Sequence, residues 1–244
     1  PLRLSYGGQV LRAKGSQLRP ERQFTQVGVE LIGVPEGSES RALIEIVDLC
    51  MTALGDAGVP DVTVDLTLPQ VARAAAQADP VLIQALNERN AALAETATAT
   101  AGEAVREVVS LISAFGPWRG AVTLMDKVKG GKAWRELESV AEAVETRHPS
   151  VEVLVDPAEL RGFDYHTGLS FVLYAKGVRG ELGRGGLYQA GEEQAAGFTL
   201  YMDSVLRAVP AQTPPEKVSV AADTDINEVA RRRAAGEIVV VDLA

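Results

Sequence analysis

The sequence predicts an α+β protein in which an antiparallel sheet is backed by helices and carries a helical insertion. Apolar and polar residues alternate in segments 2–13 and 23–33, and again over 163–173, which is typical of β-strands. Between them, residues 68–147 are rich in Ala, Leu, Glu, Gln and Arg, which favour helices. The order of strands, helices and strands again indicates a sheet that is interrupted by an inserted helical segment.

The first part of the chain predicts a hairpin, a helix and a further strand. Segments 2–13 and 23–33 are joined by a polar loop and are expected to pair antiparallel. A helix capped by Ser38 or Ser40 follows, and its apolar residues recur at helical spacing. Residues 62–66 then alternate as a strand.

The middle of the chain predicts three main helices. Asp79 precedes Pro80 and reads as an N-cap. A second helix contains the apolar residues of 105–112 and is expected to end at Gly116-Pro117, and a third spans 137–144.

The last part predicts strands at 151–155, 163–173 and 181–188, followed by a helix that contains Phe198 and Met202. A Pro-containing linker over 210–215 leads to a small β-α-β unit. We therefore expect four segments, namely a sheet-forming part, a helical insertion, the second part of the sheet and a C-terminal unit, over residues 1–67, 68–150, 151–209 and 210–244.

Composition excludes several classes of protein. The 244 residues include 24 Lys and Arg against 33 Asp and Glu, a net charge of −9 that does not favour nucleic acid as a partner. The single cysteine, Cys50, excludes an internal disulfide and a multi-cysteine metal site, and with two histidines no metal is expected. No apolar run approaches the ~20 residues that span a bilayer, and no signal peptide is recognisable, so the cytoplasm is the expected compartment. The chain starts at Pro1 and enters a strand at once, so we expect an N-terminal piece to be missing from this sequence.

The sequence lacks the common motifs of catalytic sites. Gly130-Gly131-Lys132 lacks the first glycine and the Ser or Thr of a P-loop, and no Gly-x-Ser-x-Gly occurs. In segment 12–33, however, Gln26 and Glu30 share one strand face with a glycine between them. That pattern is equally compatible with a ligand that approaches the strand closely at the glycine and with a strand face that is merely solvated.

A second candidate lies in segments 160–168 and 184–188. Arg161 can pair with a carboxylate, and the side chains of Tyr165, His166 and Tyr188 offer hydrogen bonds and ring contacts to a small polar ligand. The alternative is a Tyr-rich hairpin with a Gly-Gly turn.

Together these segments resemble the histidyl-tRNA synthetase family over about residues 1–209. Segment 12–33 looks like motif 2 of class II aminoacyl-tRNA synthetases, segment 161–168 like the first histidine signature and segment 184–188 like the second. Gly197-Phe198, read as opening a helix, looks like motif 3. The resemblance implies a class II synthetase-like fold.

The resemblance also implies a histidine pocket. Gln26 and Glu30 would bind the α-amino group and Arg161 the carboxylate. Tyr165, His166 and Tyr188 would line the imidazole pocket. The full implied set is Arg12, Gln26, Glu30, Arg161, Tyr165, His166 and Tyr188. His166 stands where the family usually has Tyr, and Leu187 and Gln189 replace the usual Arg and acidic residue.

The positions that would hold ATP depart from the family. Lys14 stands in place of a glutamate that holds the adenine side, and Ser204 in place of an arginine that contacts the phosphates. Tyr201 replaces a glycine and would crowd the nucleotide. Loss of a charge-assisted phosphate contact indicates that adenylation is disabled.

This combination resembles the regulatory subunits of ATP phosphoribosyltransferase. It implies a non-catalytic subunit that needs no cofactor, forms a homodimer and assembles with a short catalytic subunit. L-histidine would be the effector of this first step of histidine biosynthesis. The alternative is a divergent histidyl-tRNA synthetase-like enzyme that activates or transfers an amino acid.

Overall fold

The chain begins with a long antiparallel hairpin. The structure is a computed structural model that describes residues 1–11, 13, 22–98, 102–125, 128, 131–160, 165–211 and 216–242. Strand β1 (Leu2–Leu11) pairs with β2 (Gln23–Ile32) along its whole length, with Tyr6 opposite Gly28. The predicted hairpin is thus confirmed.

This hairpin is one edge of a large sheet. Among the described residues the sheet has eight strands in the order β1-β2-β8-β7-β6-β3-β5-β4, and every neighbouring pair is antiparallel except β3 with β5. The other strands are β3 (Val62–Thr67), β4 (Gly116–Pro117), β5 (Glu152–Val155), β6 (His166–Ala175), β7 (Gly183–Ala190) and β8 (Glu193–Tyr201). The α+β class with a mainly antiparallel sheet is confirmed.

Strand β8 corrects one prediction. Gly197 and Phe198 do not open a helix, because they lie inside β8, which pairs with β2 on one side and β7 on the other. The helix begins later, as α8 (Met202–Ala208). Apolar residues at helical spacing suggested the helix, but Phe198 and Leu200 follow the two-residue period of a strand into the core. Pairing on both sides outweighs the local pattern.

The helices divide between two cores. Helix α1 (Glu39–Asp56) packs on the sheet with α6 (Trp118–Met125) and α7 (Lys132–Arg147). Helices α2 (Pro69–Ala76), α3 (Pro80–Glu88), α4 (Ala91–Ala94) and α5 (Gly102–Ser113) enclose a second core of buried Ala, Leu and Val side chains. We call these four helices the helical group.

Two predicted helix boundaries have different outcomes. Asp79 is the N-cap of α3, and its carboxylate accepts hydrogen bonds from the backbone N–H groups of Val81 and Leu82 at 2.8 and 3.3 Å. Ser38 occupies the N-cap position of α1, but its side chain makes no capping hydrogen bond within the described residues. Gly116-Pro117 does follow a helix, and it then pairs with β5 as the short strand β4.

The chain divides into two units, Pro1–Val209 and Pro210–Ala244. The second contains the predicted β-α-β arrangement, in which β9 (Lys217–Val220) and β10 (Ile238–Val241) are parallel and α9 (Ile226–Ala234) connects them. In the part of the chain that the structure describes, no helix is long and apolar enough to cross a membrane.

Candidate functional site

A polar pocket lies on one face of the sheet, across β2, β8, β7 and the start of β6. Side chains alternate between the two faces of a strand. Leu31 and Phe198 therefore enter the core, whereas Glu30, Thr199 and Arg184 project from the opposite face. The pocket has a volume of about 200 Å³. It is lined by Glu30, Tyr165, His166, Arg184, Gly185, Tyr188, Gly197, Phe198 and Thr199.

Aromatic rings and a carboxylate form its wall. The Tyr188 hydroxyl donates a hydrogen bond to Glu30 Oε2 at 2.7 Å. The Tyr165 ring lies with its centroid 4.0 Å from that of His166 and 6.1 Å from that of Tyr188. Tyr165 is 60% exposed, so it stands at the mouth, while His166 is buried.

A glycine makes room for the carboxylate. Gly197 lies opposite Glu30 in the pairing of β8 with β2. A Cβ atom at position 197 would lie 1.9 Å from Glu30 Oε2 and 2.8 Å from the backbone oxygen of Val29. Any larger residue must therefore displace the Glu30 side chain and disturb the backbone beside it.

The charges of the pocket follow from its burial. Burial raises the pKa of Glu30 above its ordinary value, and the hydrogen bond from Tyr188 opposes part of that rise. Burial, with the positive charges of Arg184 and Arg73, lowers the pKa of His166 to about 4, so its imidazole is neutral at pH 7. A ligand ammonium group near Glu30 would remove the cost of ionising a half-buried carboxylate.

Arg184 supplies the cation of this pocket. Its guanidinium pairs with Glu181 at 2.6 Å between Nη2 and Oε2, and three quarters of its side chain is covered. A buried arginine that is already oriented by a carboxylate is a suitable partner for a second, ligand carboxylate. Across the described ranges, no group of three or more His, Cys, Asp or Glu side chains could hold a metal ion.

The neighbouring part of the same face is filled by the chain itself. The Tyr6 ring lies on Gly28, where a Cβ atom would come within 2.4 Å of it, and the Tyr6 hydroxyl shares a hydrogen bond with Thr199 Oγ1 at 2.6 Å. Tyr201 is buried and contacts Phe24 edge to face, with ring centroids 5.7 Å apart.

Ser204 lies just beyond, on α8. It is fully buried, and its hydroxyl oxygen accepts a hydrogen bond from Arg207 at 3.1 Å. Two of the three positions that the resemblance assigns to ATP, Tyr201 and Ser204, are therefore occupied by buried side chains.

The structure brings four of the predicted binding residues together: Glu30, Tyr165, His166 and Tyr188 line one pocket. Gln26 is not among its lining residues and lies four residues before Glu30 on β2, opposite Tyr201. Arg12, Lys14 and Arg161 lie outside the described residues.

Sequence reasoning missed Arg184 and Tyr6. Arg184 shares a strand face with Gly186 and Tyr188, and that alternation was the available signal for its place in the pocket. The contact of Tyr6 with Thr199 joins residues 193 positions apart, and no local pattern reveals it.

A mainly antiparallel sheet with this pocket on its open face defines a synthetase-like protein of the class II fold. The chain belongs to the histidyl-tRNA synthetase family, because the sequence model described as "Histidyl-tRNA synthetase" matches residues 1–205.

Solved structures agree with that fold. A structure described as an ATP phosphoribosyltransferase regulatory subunit/histidyl-tRNA synthetase from Bacillus halodurans C is 25% identical with a TM-score of 0.76, and the match covers 100% of this chain and 68% of that one. Histidyl-tRNA synthetase from Nostoc sp. PCC 7120 gives a TM-score of 0.71 at 16% identity, over 100% of this chain and 65% of that one.

Sequence relatives share the name of a regulatory subunit. The protein named "ATP phosphoribosyltransferase regulatory subunit" in Rhodospirillum centenum is 44% identical, in an alignment that covers 97% of this chain. The protein of that name in Paramagnetospirillum magneticum is 43% identical, in an alignment that covers 100% of this chain. The chain spans 63% and 66% of the lengths of these two relatives.

Proposed function

We propose that this chain is part of a non-catalytic regulatory subunit of ATP phosphoribosyltransferase, which acts in the first step of histidine biosynthesis and in feedback by histidine. One observation carries the proposal: a single sheet face keeps a polar pocket and fills the adjacent region with aromatic side chains. The names of the relatives at 43–44% identity support it.

The ligand that suits the pocket is L-histidine. Its α-ammonium group would lie at Glu30, and its imidazole would lie among Tyr165, His166 and Tyr188. Arg184 offers a partner for the carboxylate in the described part of the pocket, and the resemblance adds Arg161. At about 200 Å³ the cavity is below the ~300–1,000 Å³ of drug-sized ligand sites, as expected for a single amino acid.

ATP is not a ligand in this proposal. Tyr6 covers Gly28, and the buried Tyr201 packs on Phe24, so a planar base would have to displace both tyrosine rings. Ser204 provides a neutral hydroxyl, already bonded to Arg207, instead of a charged phosphate partner. Without ATP there is no adenylation, and glycosyl transfer belongs to the partner catalytic subunit.

The proposed assembly is a homodimer that joins short catalytic subunits in the cytoplasm. The edge strand β1 supports a protein contact, because Leu2, Leu4 and Leu11 are 56%, 45% and 73% exposed. Apolar side chains along an open strand edge are a liability unless another chain covers them.

The proposal is tested by reconstitution with a short catalytic subunit. We expect transferase activity to require this chain and to fall when L-histidine is added. With the Glu30→Gln chain, activity should persist while inhibition by histidine is lost. Glu138→Gln, the same change at an exposed residue of α7, should leave both unchanged. Histidine-dependent exchange of ATP with pyrophosphate by the chain alone would instead support the synthetase-like enzyme.

A further inference from the structure

The start of β6, which forms one wall of the pocket, does not pair regularly with β7. His166 lies opposite Tyr188 and Ser170 lies opposite Gly186, so four steps along β6 match two steps along β7. A bulge of this kind removes ladder hydrogen bonds from the extra residues. Their backbone groups need other partners if the wall is to keep its shape.

Two glutamine side chains bond to this irregular start of β6 and to the facing end of β7. Gln194 on β8 donates through Nε2 to Thr167 Oγ1 at 3.0 Å and to the backbone oxygen of Tyr188 at 2.9 Å. Gln70 donates through Nε2 to the backbone oxygen of His166. Gln194 belongs to the sheet, but Gln70 reaches the bulge from the first turn of α2.

Gln70 thereby connects the helical group to the pocket wall. Beyond Gln70, α2 buries Ala72, Ala75 and Ala76 in the core of the helical group. The other end of the Gln70 amide, Oε1, is buried and makes no hydrogen bond in the described part of the chain. The hydrogen bond of Gln70 therefore joins α2, and through it the core of the helical group, to the start of β6.

Arg89 makes a second connection from the same helices. It follows α3 with a positive φ of 53°, and its guanidinium donates to the backbone oxygens of Leu86 and Ala158 at 2.7 and 3.1 Å. It also pairs with the carboxylates of Asp156 and Glu159. The Asp156 side chain is only 10% exposed. Removal of Arg89 would therefore leave a buried carboxylate without this partner, which is costly.

The two connections attach the helical group to the end of β5 and to the start of β6. Arg89 fixes residues 156–159, which follow β5, and Gln70 fixes His166, which begins β6. A movement of the helical group would therefore shift the His166 wall, and a change of that wall would pull on α2.

We propose that Gln70 and Arg89 are positioning residues that couple the helical group to the ligand pocket. A ligand in the pocket then restrains the helical group. If the ligand changes the affinity of the helical group for a partner protein, linkage requires that the partner changes the ligand affinity by the same factor. This inference rests on the proposed function for the identity of the ligand, L-histidine.

Hydrogen exchange of the whole chain, with and without L-histidine, tests this coupling. In the native chain we expect L-histidine to slow backbone exchange in α2 and α3 as well as in the pocket. Gln70→Leu should abolish the slowing in α2 and α3, speed exchange at residues 166–170 without ligand, and weaken histidine binding about tenfold.

A second variant of Gln70 and a control variant on α3 complete the test. Gln70→Glu keeps the size of the side chain but loses the donor, so it should reproduce Gln70→Leu. Gln84→Leu removes an exposed amide of α3 that pairs with Glu88 at 2.8 Å, and it should behave as the native chain. If both Gln70 variants retain native exchange at 166–170, or if bound histidine leaves α2 and α3 unaffected in the native chain, the coupling is wrong. A native chain that binds no histidine contradicts the proposed function, whereas exchange at 166–170 still decides whether Gln70 positions the wall.

Discussion

Two neighbouring parts of one sheet face differ in whether a ligand can enter. Around Glu30, the carboxylate, the neutral His166 and the tyrosines leave a pocket of about 200 Å³. Two residues earlier on β2, Gly28 lies under the ring of Tyr6, and further along Tyr201 packs on Phe24. Both parts are built on β2 and β8, so the backbone does not account for the difference.

The comparison shows how a binding face can be changed without a change of fold. Gly197 keeps one part open, because no side chain fits between it and Glu30. Tyr201 closes the other part, where its buried ring packs on Phe24. Small and large residues at single positions thus decide what the face can bind.

The largest expected effect is a loss of stability when Tyr201, in the filled part of the face, is truncated. Tyr201 is 4% exposed, and Tyr201→Ala should lower the free energy of unfolding by ~3–5 kcal/mol, because a large buried ring leaves a cavity. Urea unfolding measures this loss, and histidine affinity should stay within about twofold. Leu206→Ala, at a residue 75% exposed on α8, should cost below ~0.5 kcal/mol. A loss below ~1 kcal/mol for Tyr201→Ala would mean that the ring is not packed as described.

The second largest effect is expected from a substitution that closes the pocket beside Glu30. Gly197→Ala places a Cβ atom against the Glu30 carboxylate and should weaken histidine binding at least about 100-fold, or ~2.8 kcal/mol, in calorimetric titration. Gly8→Ala is the matched control on β1, since a Cβ atom there would meet nothing within 4 Å. Equal affinities for the two variants would place the ligand elsewhere.

The buried imidazole of His166 should make the free energy of unfolding depend on pH. The pKa of His166 is about 4 in the folded chain, below its ordinary 6.5, so the unfolded chain binds the proton more tightly. The stability that His166 contributes is present above pH 6.5 and is lost as pH falls toward 4. Between pH 7 and pH 5 the native chain should lose about 2 kcal/mol more than His166→Gln in urea unfolding. Equal losses would show that the imidazole is not held neutral by burial.

The smallest effect removes one hydrogen bond. Tyr188→Phe keeps the ring but leaves Glu30 without its 2.7 Å donor, and should weaken histidine binding about fivefold, or ~1 kcal/mol. Tyr174→Phe, at an exposed tyrosine of β6, should leave the affinity unchanged. An effect of the same size at both positions would argue against a specific role for the Tyr188 hydroxyl.

Strand and helix patterns predicted most of the fold, but β8 shows their limit. The hairpin of β1 and β2 and the cap at Asp79 follow from local alternation and local hydrogen bonding. β8 was missed because Phe198 and Met202 stand at helical spacing, while its pairing with β2 and β7 depends on distant parts of the chain.

The candidate site was predictable only in part. Glu30 and Tyr188 belong to recognisable segments, yet their hydrogen bond joins residues 158 positions apart. Arg184 in the pocket and Tyr6 over Gly28 depend on which strands become neighbours. That information lies in tertiary pairing and not in any single segment.

Calorimetric titration of the chain with L-histidine and, separately, with ATP tests the central claim most directly. An open pocket beside a part of the face that is filled by Tyr6 and Tyr201 predicts that L-histidine binds and that ATP does not, whether or not histidine is already bound. Binding of ATP together with histidine would contradict the account and would favour an amino-acid-activating enzyme.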